Sequence, residues 1–251
     1  YYVEKLTDDM EAKIGETIAK IESDGGIVKL IESGSIQREL ARELPALAGR
    51  LVCMDLPHFA CPLPETGGPP GDPVRFGSLG VAHRDKGSEL FFCLAREVTA
   101  AATARRAEFV LVGHLVDRPL RGLAPGPVRI SSPHAPLSRA EFAAQAQALD
   151  YCLFLYPPEA YRLRASAALL DAFALAKPVI ALRTPLTEHY FARLGDIGFL
   201  CEDYEGMRRA VLAILDGGCG ERYLRQRETL REARGCFTPA SLAPRLREAL
   251  A

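Results

Sequence analysis

The chain has 251 residues, of which 48% are apolar and 25% charged, a balance typical of globular proteins with a packed core. Its net charge is −1, from 31 basic and 32 acidic side chains. This excludes a typical nucleic-acid partner, because neutralising phosphates requires a basic excess. No apolar run reaches the roughly 20 residues that span a bilayer.

Seven cysteines are scattered along the chain without a CxxC pair or a cluster with the five histidines, so the sequence predicts no bound metal. An odd, scattered set of thiols is typical of the reducing cytoplasm. No signal peptide opens the chain, and its first residue is Tyr1 rather than methionine. We therefore expect a cytoplasmic protein that is a fragment or a trimmed chain.

Composition changes near residue 45. Residues 1–43 hold four Lys, two Arg and six Ile, whereas residues 44–251 hold two Lys, 23 Arg and four Ile. Lysine and arginine serve equally on most solvated faces, so folding does not require such a change. Chance variation in a short segment is one explanation. A junction between unrelated sequences, with different codon bias, explains it better and predicts two domains, 1–45 and 46–251.

The first segment is predicted to be helical. Apolar residues recur at helical spacing from Met10 to Ile21, between a possible cap at Thr7–Asp9 and a stop at Gly25-Gly26. Two further helical stretches are predicted over residues 27–33 and 37–44, and Pro45 closes the last one.

These forty-odd residues resemble the methylmalonyl-CoA mutase family in motif order. The motifs are Tyr1-Tyr2-Val3-Glu4-Lys5-Leu6-Thr7, Gly25-Gly26, Ile31-Glu32-Ser33-Gly34 and Gln37-Arg38-Glu39. The resemblance places Glu4 near the adenosyl part of a cobalamin. The rest of that family's barrel and its DxHxxG cobalamin loop have no counterpart here. We therefore expect a structural remnant without chemistry of its own.

The remaining chain predicts strands that alternate with helices, after a Pro- and Gly-rich loop over residues 57–73. Strands are predicted at 51–54, 74–79, 109–112, 128–130, 151–156, 179–182 and 199–200. Helices are predicted at 86–105, 138–148 and 166–176, and from about Glu188, Tyr204 and Arg222. This alternation predicts an α/β domain, with a Rossmann-like parallel sheet flanked by helices on both faces. Ligands of such sheets bind at the carboxyl ends of the strands.

The loop after the second of these strands carries Gly77, Ser78 and Gly80, followed by Arg84 and Lys86. Glycines allow close backbone approach, and the next helix offers free amides beside two cations, so the loop predicts a diphosphate site. The alternative is an ordinary turn with two solvated cations.

A second candidate loop follows the apolar strand at 151–156 and carries Tyr161 and Arg164. Ser166 then begins a helix that contains Asp171. A carboxylate so placed can accept a sugar hydroxyl while helix amides hold a phosphate. The alternative is an ordinary acid near a helix start. The later Lys177-Pro178-Val179 stretch is structural by itself.

In this order the loops resemble the C-terminal, donor-binding half of GT-B glycosyltransferases of the family 4 type. The shared elements are the glycine-rich strand end, Arg84…Lys86-Gly87, Ser166…Asp171-Ala172 and Lys177-Pro178-Val179. The resemblance implies a nucleotide-sugar-binding domain that needs no cofactor or metal. Its acceptor side would come from a separate domain of similar size. The implied donor-binding residues are Gly77, Ser78, Gly80, Arg84, Lys86, Tyr161, Arg164, Ser166 and Asp171.

The sequence departs from that pattern at four positions. Asp171 replaces the usual Glu, Arg164 occupies a position that is often acidic, and Ala167 and Ala176 replace Gly where the backbone should approach the donor. Three histidines, His58, His114 and His134, are weaker candidates for the cleft. The alternatives to a donor-binding domain are a cobalamin-dependent isomerase fragment and a non-catalytic α/β interaction module.

The junction makes one prediction. Mild proteolysis should cut between Leu44 and Pro73 and leave a stable C-terminal fragment, because few apolar contacts should join residues 1–43 to the larger domain. Mass spectrometry of the limit digest would measure this. A full-length chain that resists cleavage and melts as one unit would contradict the junction.

Overall fold

The computed structural model describes residues 15–16, 18–20, 22–23, 58, 68–101, 103, 105–116, 120, 126–158, 161, 165–217 and 219–250. The chain divides into two compact units, Tyr1–Cys53 and Met54–Ala251. In the first unit the described residues are helical and exposed, and they lie within the first predicted helix. The other two predicted helices, the strand at 51–54 and Glu4 lie outside the described residues. The domain boundary near residue 45 stays a prediction.

The second unit contains a parallel sheet, as predicted, and the described part of it has six strands. Its strands are β1 (Val74–Leu79), β2 (Ala107–Val112), β3 (Val128–Ile130), β4 (Tyr151–Phe154), β5 (Val179–Leu182) and β6 (Gly198–Cys201). They lie in the order β3-β2-β1-β4-β5-β6, and all five pairings are parallel. The order reverses direction between β1 and β4.

Seven α-helices of this unit have described bounds. They are α1 (Ser88–Ala100), α2 (Arg139–Gln147), α3 (Ala167–Ala174), α4 (Pro185–Leu194), α5 (Tyr204–Leu215), α6 (Gly220–Ala233) and α7 (Pro239–Leu250). Short 3-10 turns precede α1, at Arg84–Lys86, and α7, at Arg234–Phe237. Within the described residues, no helix combines the length and the apolar character needed to cross a membrane.

Both faces of the sheet are buried because alternate residues of each strand point to opposite sides. Phe109 of β2 belongs to the core that α1 and α5 cover, and its neighbour Val110 belongs to the core under α3 and α6. On β4, Tyr151 belongs to the first of these cores and Cys152 to the second. The central strands β4 and β5 are therefore continuous apolar runs in the sequence.

Two helices differ from their predicted bounds by three residues or more, and a third has no predicted counterpart. α1 ends at Ala100 rather than Arg105, and the Arg105 guanidinium instead donates to the backbone carbonyls of Pro70 and Gly71 just before β1. α4 begins earlier than predicted, with Pro185 at its first position and Thr184 as its cap. The final helix, α7, was not predicted.

Candidate functional site

A cleft of about 420 Å³ lies at the carboxyl ends of the strands, next to the point where the strand order reverses. Parallel α/β sheets bind their ligands in crevices at such points. The turns after β1 and β2 and the starts of α2 and α3 enclose it. Its lining consists of Gly80, Val81, Lys86, Gly113, His114, Pro136, Leu137, Arg139, Phe142, Ala167, Ala168 and Asp171.

Two glycines form part of this lining where the turns after β1 and β2 meet. Gly80 has φ +85°, and a Cβ added to Gly113 would lie 1.8 Å from the carbonyl oxygen of Gly80. Beyond them, the amide of Ala82 donates to the carbonyl of His114 at 2.9 Å. The two turns are therefore held in contact, and a side chain at Gly113 would separate them.

Lys86 ends the 3-10 turn between β1 and α1, and its side chain returns over Gly80. A Cβ on Gly80 would lie 3.4 Å from Lys86 Nζ. Burial lowers the pKa of Lys86 because it removes water from the ammonium group. Among the described residues nothing forms an ion pair or hydrogen bond with this ammonium group. Lys86 is thus a partly buried cation in the cleft without a counter-charge.

Arg84, the other predicted cation, is placed differently. Its Nε lies 2.8 Å from Oε1 of Glu89 on α1, its side chain is 57% exposed, and it does not belong to the cleft lining. Gly87 sets the path of the chain after Arg84 and Lys86. It has φ +68°, and a Cβ there would lie 1.9 Å from the carbonyl oxygen of Leu155. Of the two cations, the structure brings Lys86 into the cleft.

Asp171 lies on α3 and faces the cleft with its side chain largely buried. Its Oδ1 is 2.7 Å from Nη1 of Arg139 and 2.9 Å from Nε2 of His58. The backbone amide of His58 donates to the carbonyl of Phe237 at 2.6 Å. Two basic side chains thus hold one oxygen of the carboxylate. The sequence predicted Asp171 but neither of these contacts.

Ser166 caps α3, and its side-chain oxygen accepts the amide of Leu169 at 3.1 Å. The same oxygen lies 2.7 Å from the hydroxyl of Tyr156, on which Tyr161 stacks with ring centroids 3.7 Å apart. Burial raises the pKa of Tyr156, so its hydroxyl stays protonated. Ser166 and Tyr161 therefore shape the helix start and do not line the cleft.

The helix start itself does face the cleft. The backbone amides of Ala167 and Ala168, both lining residues, have no hydrogen-bond acceptor among the described residues. Free amides at the start of a helix, together with the helix dipole, favour a bound anion.

The other predicted donor-binding residues lie elsewhere. Gly77 is inside β1, where a Cβ would lie 2.1 Å from Cδ1 of Leu149, so this glycine makes room for core packing. Ser78 is half-buried in the same strand, and neither residue lines the cleft. Arg164 lies outside the described residues. The lining thus includes three predicted residues, Gly80, Lys86 and Asp171.

Ala176 does not approach the cleft, so that interpretation is wrong. It is fully buried at the far end of α3 with φ +49°, in the left-handed region that favours glycine. The next residue, Lys177, reaches the carbonyls of Gln147 and Leu149 just before β4, at the opposite edge of the sheet. A glycine at this position would serve the backbone turn.

The remaining lining residues were not singled out from the sequence, apart from His114 and Ala167, the latter at a predicted point of close backbone approach. Pro136, Leu137 and Phe142 form an apolar wall, and the guanidinium of Arg139 lies 5.5 Å from the Phe142 ring centroid. From the sequence, Ser138 predicted where α2 begins, but not that the side chain of Arg139, its first residue, lines the cleft. His134 is not a lining residue. No group of three metal-binding side chains is found within the described part of the chain.

Different known proteins match the N-terminal segment and the larger unit of the chain. Residues 1–51 match the methylmalonyl-CoA mutase family model. The 2-hydroxyisobutanoyl-CoA mutase large subunit of Aquincola tertiaricarbonis is 49% identical over 41 residues, which are 16% of this chain and 7% of that protein. The likeness therefore concerns a short segment of a much longer enzyme.

Solved structures match the larger unit. A UDP-forming α,α-trehalose-phosphate synthase from Burkholderia xenovorans superposes with a TM-score of 0.54 at 16% identity, over 71% of this chain and 44% of that one. The N-terminal domain of trehalose-6-phosphate phosphatase from Candida albicans gives 0.52 at 10% identity, over 70% and 41%. The chain thus spans less than half the length of both structures. Its six-stranded parallel sheet with flanking helices has the Rossmann-like fold of GT-B glycosyltransferases.

Proposed function

We propose that the Met54–Ala251 unit binds a nucleotide-diphosphate sugar in this cleft and is the donor-binding half of a glycosyltransferase. The observation that carries the proposal is the ammonium group of Lys86, which lies over Gly80 at the carboxyl edge of the sheet. None of the described residues gives it a counter-charge. A partly buried cation of this kind is stabilised by an anionic ligand. A diphosphate supplies that charge.

Other groups around the cleft suit the rest of such a ligand. The free amides of Ala167 and Ala168 can hold phosphate oxygens. Both partners of Asp171 contact Oδ1, and Oδ2 has no bonded partner in the described part of the chain. Oδ2 can therefore accept a sugar hydroxyl. The wall formed by Pro136, Leu137 and Phe142 suits the flat, partly apolar face of a base.

Catalysis by such a site would not require a metal. Charge develops on the departing diphosphate during transfer, and Lys86 with the α3 amides can stabilise it electrostatically. The second candidate, a cobalamin-dependent isomerase fragment, is favoured only by the match of residues 1–51. Binding of cobalamin in solution would support that candidate instead.

Titration with UDP and GDP by calorimetry tests the proposal, and we expect Lys86→Ala to weaken binding about tenfold or more. Charge-assisted bonds to phosphate contribute roughly 1.5–3 kcal/mol each. Arg208→Ala is a matched control, because it also removes one positive charge, from a surface ion pair with Glu205 on α5. We expect its affinity to stay within about twofold of wild type.

The same titration at rising pH gives an independent check. Since burial lowers the pKa of Lys86 below 10.5, its charge is lost at a lower pH than that of an exposed lysine. Diphosphate affinity should therefore fall as the pH rises towards 10.5 in wild type and stay flatter in Lys86→Ala. If wild type binds neither UDP nor GDP, the unit is a non-catalytic α/β module. Equal binding by wild type and Lys86→Ala would place the site elsewhere.

A further inference from the structure

Two cationic side chains line the cleft, from different elements. Lys86 comes from the turn after β1, and Arg139 is the first residue of α2. Among the described lining residues there is one carboxylate, that of Asp171. Oδ1 of this carboxylate already contacts Nη1 of Arg139 at 2.7 Å and Nε2 of His58 at 2.9 Å. Among the described lining residues, the positive charge of Lys86 is therefore left over after this pairing.

The position of Arg139 is fixed at three points. Ser138 and Glu141 form a reciprocal capping box that sets the start of α2. The guanidinium then contacts Oδ1 of Asp171 on one side and lies 5.5 Å from the Phe142 ring centroid on another. A guanidinium has five N–H donors, so it can keep the bond to Asp171 and still bind a phosphate oxygen.

Arg84 lacks such a position. Its Nε is 2.8 Å from Glu89 and its side chain is 57% exposed, outside the cleft lining. To reach a ligand over Gly80 it would have to give up the contact with Glu89. Arg139, by contrast, lines the same cleft as Lys86.

We infer that Arg139 is the second phosphate-binding cation of this cleft, and that it acts with Lys86 in the role predicted for Arg84. Asp171 is then a positioning residue, which holds the guanidinium through Oδ1. Two cations on different elements suit a diphosphate better than a monophosphate, because each can bind a separate phosphate group. The inference extends the proposed function, since it names the groups that select the diphosphate.

Inorganic pyrophosphate is the direct probe, because it carries the anion without a base or a sugar. We expect calorimetry to show binding by wild type and a loss of about tenfold in both Lys86→Ala and Arg139→Ala. Arg139→Lys should recover part of the affinity, since lysine keeps the charge but not the planar fork. Arg84→Ala and Arg129→Ala are matched controls that should stay within about twofold of wild type. Arg129 pairs with Glu108 at 3.1 Å on the sheet.

A second series compares UDP with UMP. Wild type should prefer UDP, and the preference should shrink in Arg139→Ala, an effect that a purely structural role would not produce. Thermal melting of each variant shows that the fold is intact. Wild-type binding of pyrophosphate with full affinity retained in Arg139→Ala would overturn the inference and leave the proposed function standing. Binding of pyrophosphate without any gain for UDP or GDP would support the inference and count against the proposed function. Binding of neither would overturn both.

Discussion

Replacing Lys177 with methionine should lower the free energy of unfolding by about 3 kcal/mol, because one buried and one partly buried carbonyl lose the bond to its ammonium group. Lys177 is only 7% exposed, and its Nζ donates to the carbonyls of Gln147 and Leu149 at 2.6 Å each. These two carbonyls precede β4 at the amino edge of the sheet. An unsatisfied buried acceptor costs roughly 1–3 kcal/mol. Methionine fills similar space but cannot donate.

Thermal melting by circular dichroism measures this effect. A domain of this size should lose roughly 2–4 °C of melting temperature per kcal/mol, so we expect a fall of about 10 °C for Lys177→Met. Arg106→Ala is the control, because Arg106 is 78% exposed and its contact with Asp72 is 3.9 Å long. That change should cost under about 0.5 kcal/mol. A melting curve for Lys177→Met that matches wild type would show that the desolvation of the ammonium cancels its two bonds.

Most of the sheet could be predicted because burial on both faces leaves a direct trace in the sequence. Strands β1, β3 and β5 have the predicted bounds, and β2 extends its predicted strand by two residues. The ends of the helices were harder to predict, because tertiary contacts determine where a helix stops. Arg105, for example, is drawn into contact with backbone carbonyls before β1 instead of continuing α1. The α7 helix contains Pro244 in its interior, which weakens the local pattern.

The site could be predicted in part. Glycine and lysine after β1 are local signals of a ligand-binding turn, and Gly80 and Lys86 line the cleft. The choice between Lys86 and Arg84 depends on the direction of the turn, which the close contact between Gly87 and Leu155 sets. Gly87 and Leu155 are far apart in the sequence, so this contact could not be predicted from the sequence of the loop.

The partners of Asp171 could not be predicted for a similar reason. His58 is 113 residues away in the sequence, and Arg139 begins a helix on a different connection of the sheet. An ion pair of this kind exists only after the chain has folded. The sequence shows an acid near a helix start, and the structure shows that half of its carboxylate is already in use.

The polypeptide of Tyr1–Ala251 should form no transfer product from nucleotide sugars, even if it binds them. Glycosyl transfer needs the donor and an acceptor hydroxyl held together in a site that excludes water. The described residues that line the cleft all belong to the Met54–Ala251 unit. The GT-B resemblance assigns the acceptor side to a separate domain, and this chain spans only 44% of the trehalose-phosphate synthase that it superposes on.

The first 51 residues do not fill that role by resemblance, since they match a mutase family. Only 7% of the related mutase subunit is covered by the match, so we also expect no isomerase activity. Incubation with a panel of labelled nucleotide sugars and simple sugar acceptors, followed by product separation, measures the outcome. Lys86→Ala, run in parallel, identifies any signal from a contaminating enzyme, because such a signal would be equal in both samples. Sustained product from wild type that disappears in Lys86→Ala would show that this polypeptide holds an acceptor as well as a donor.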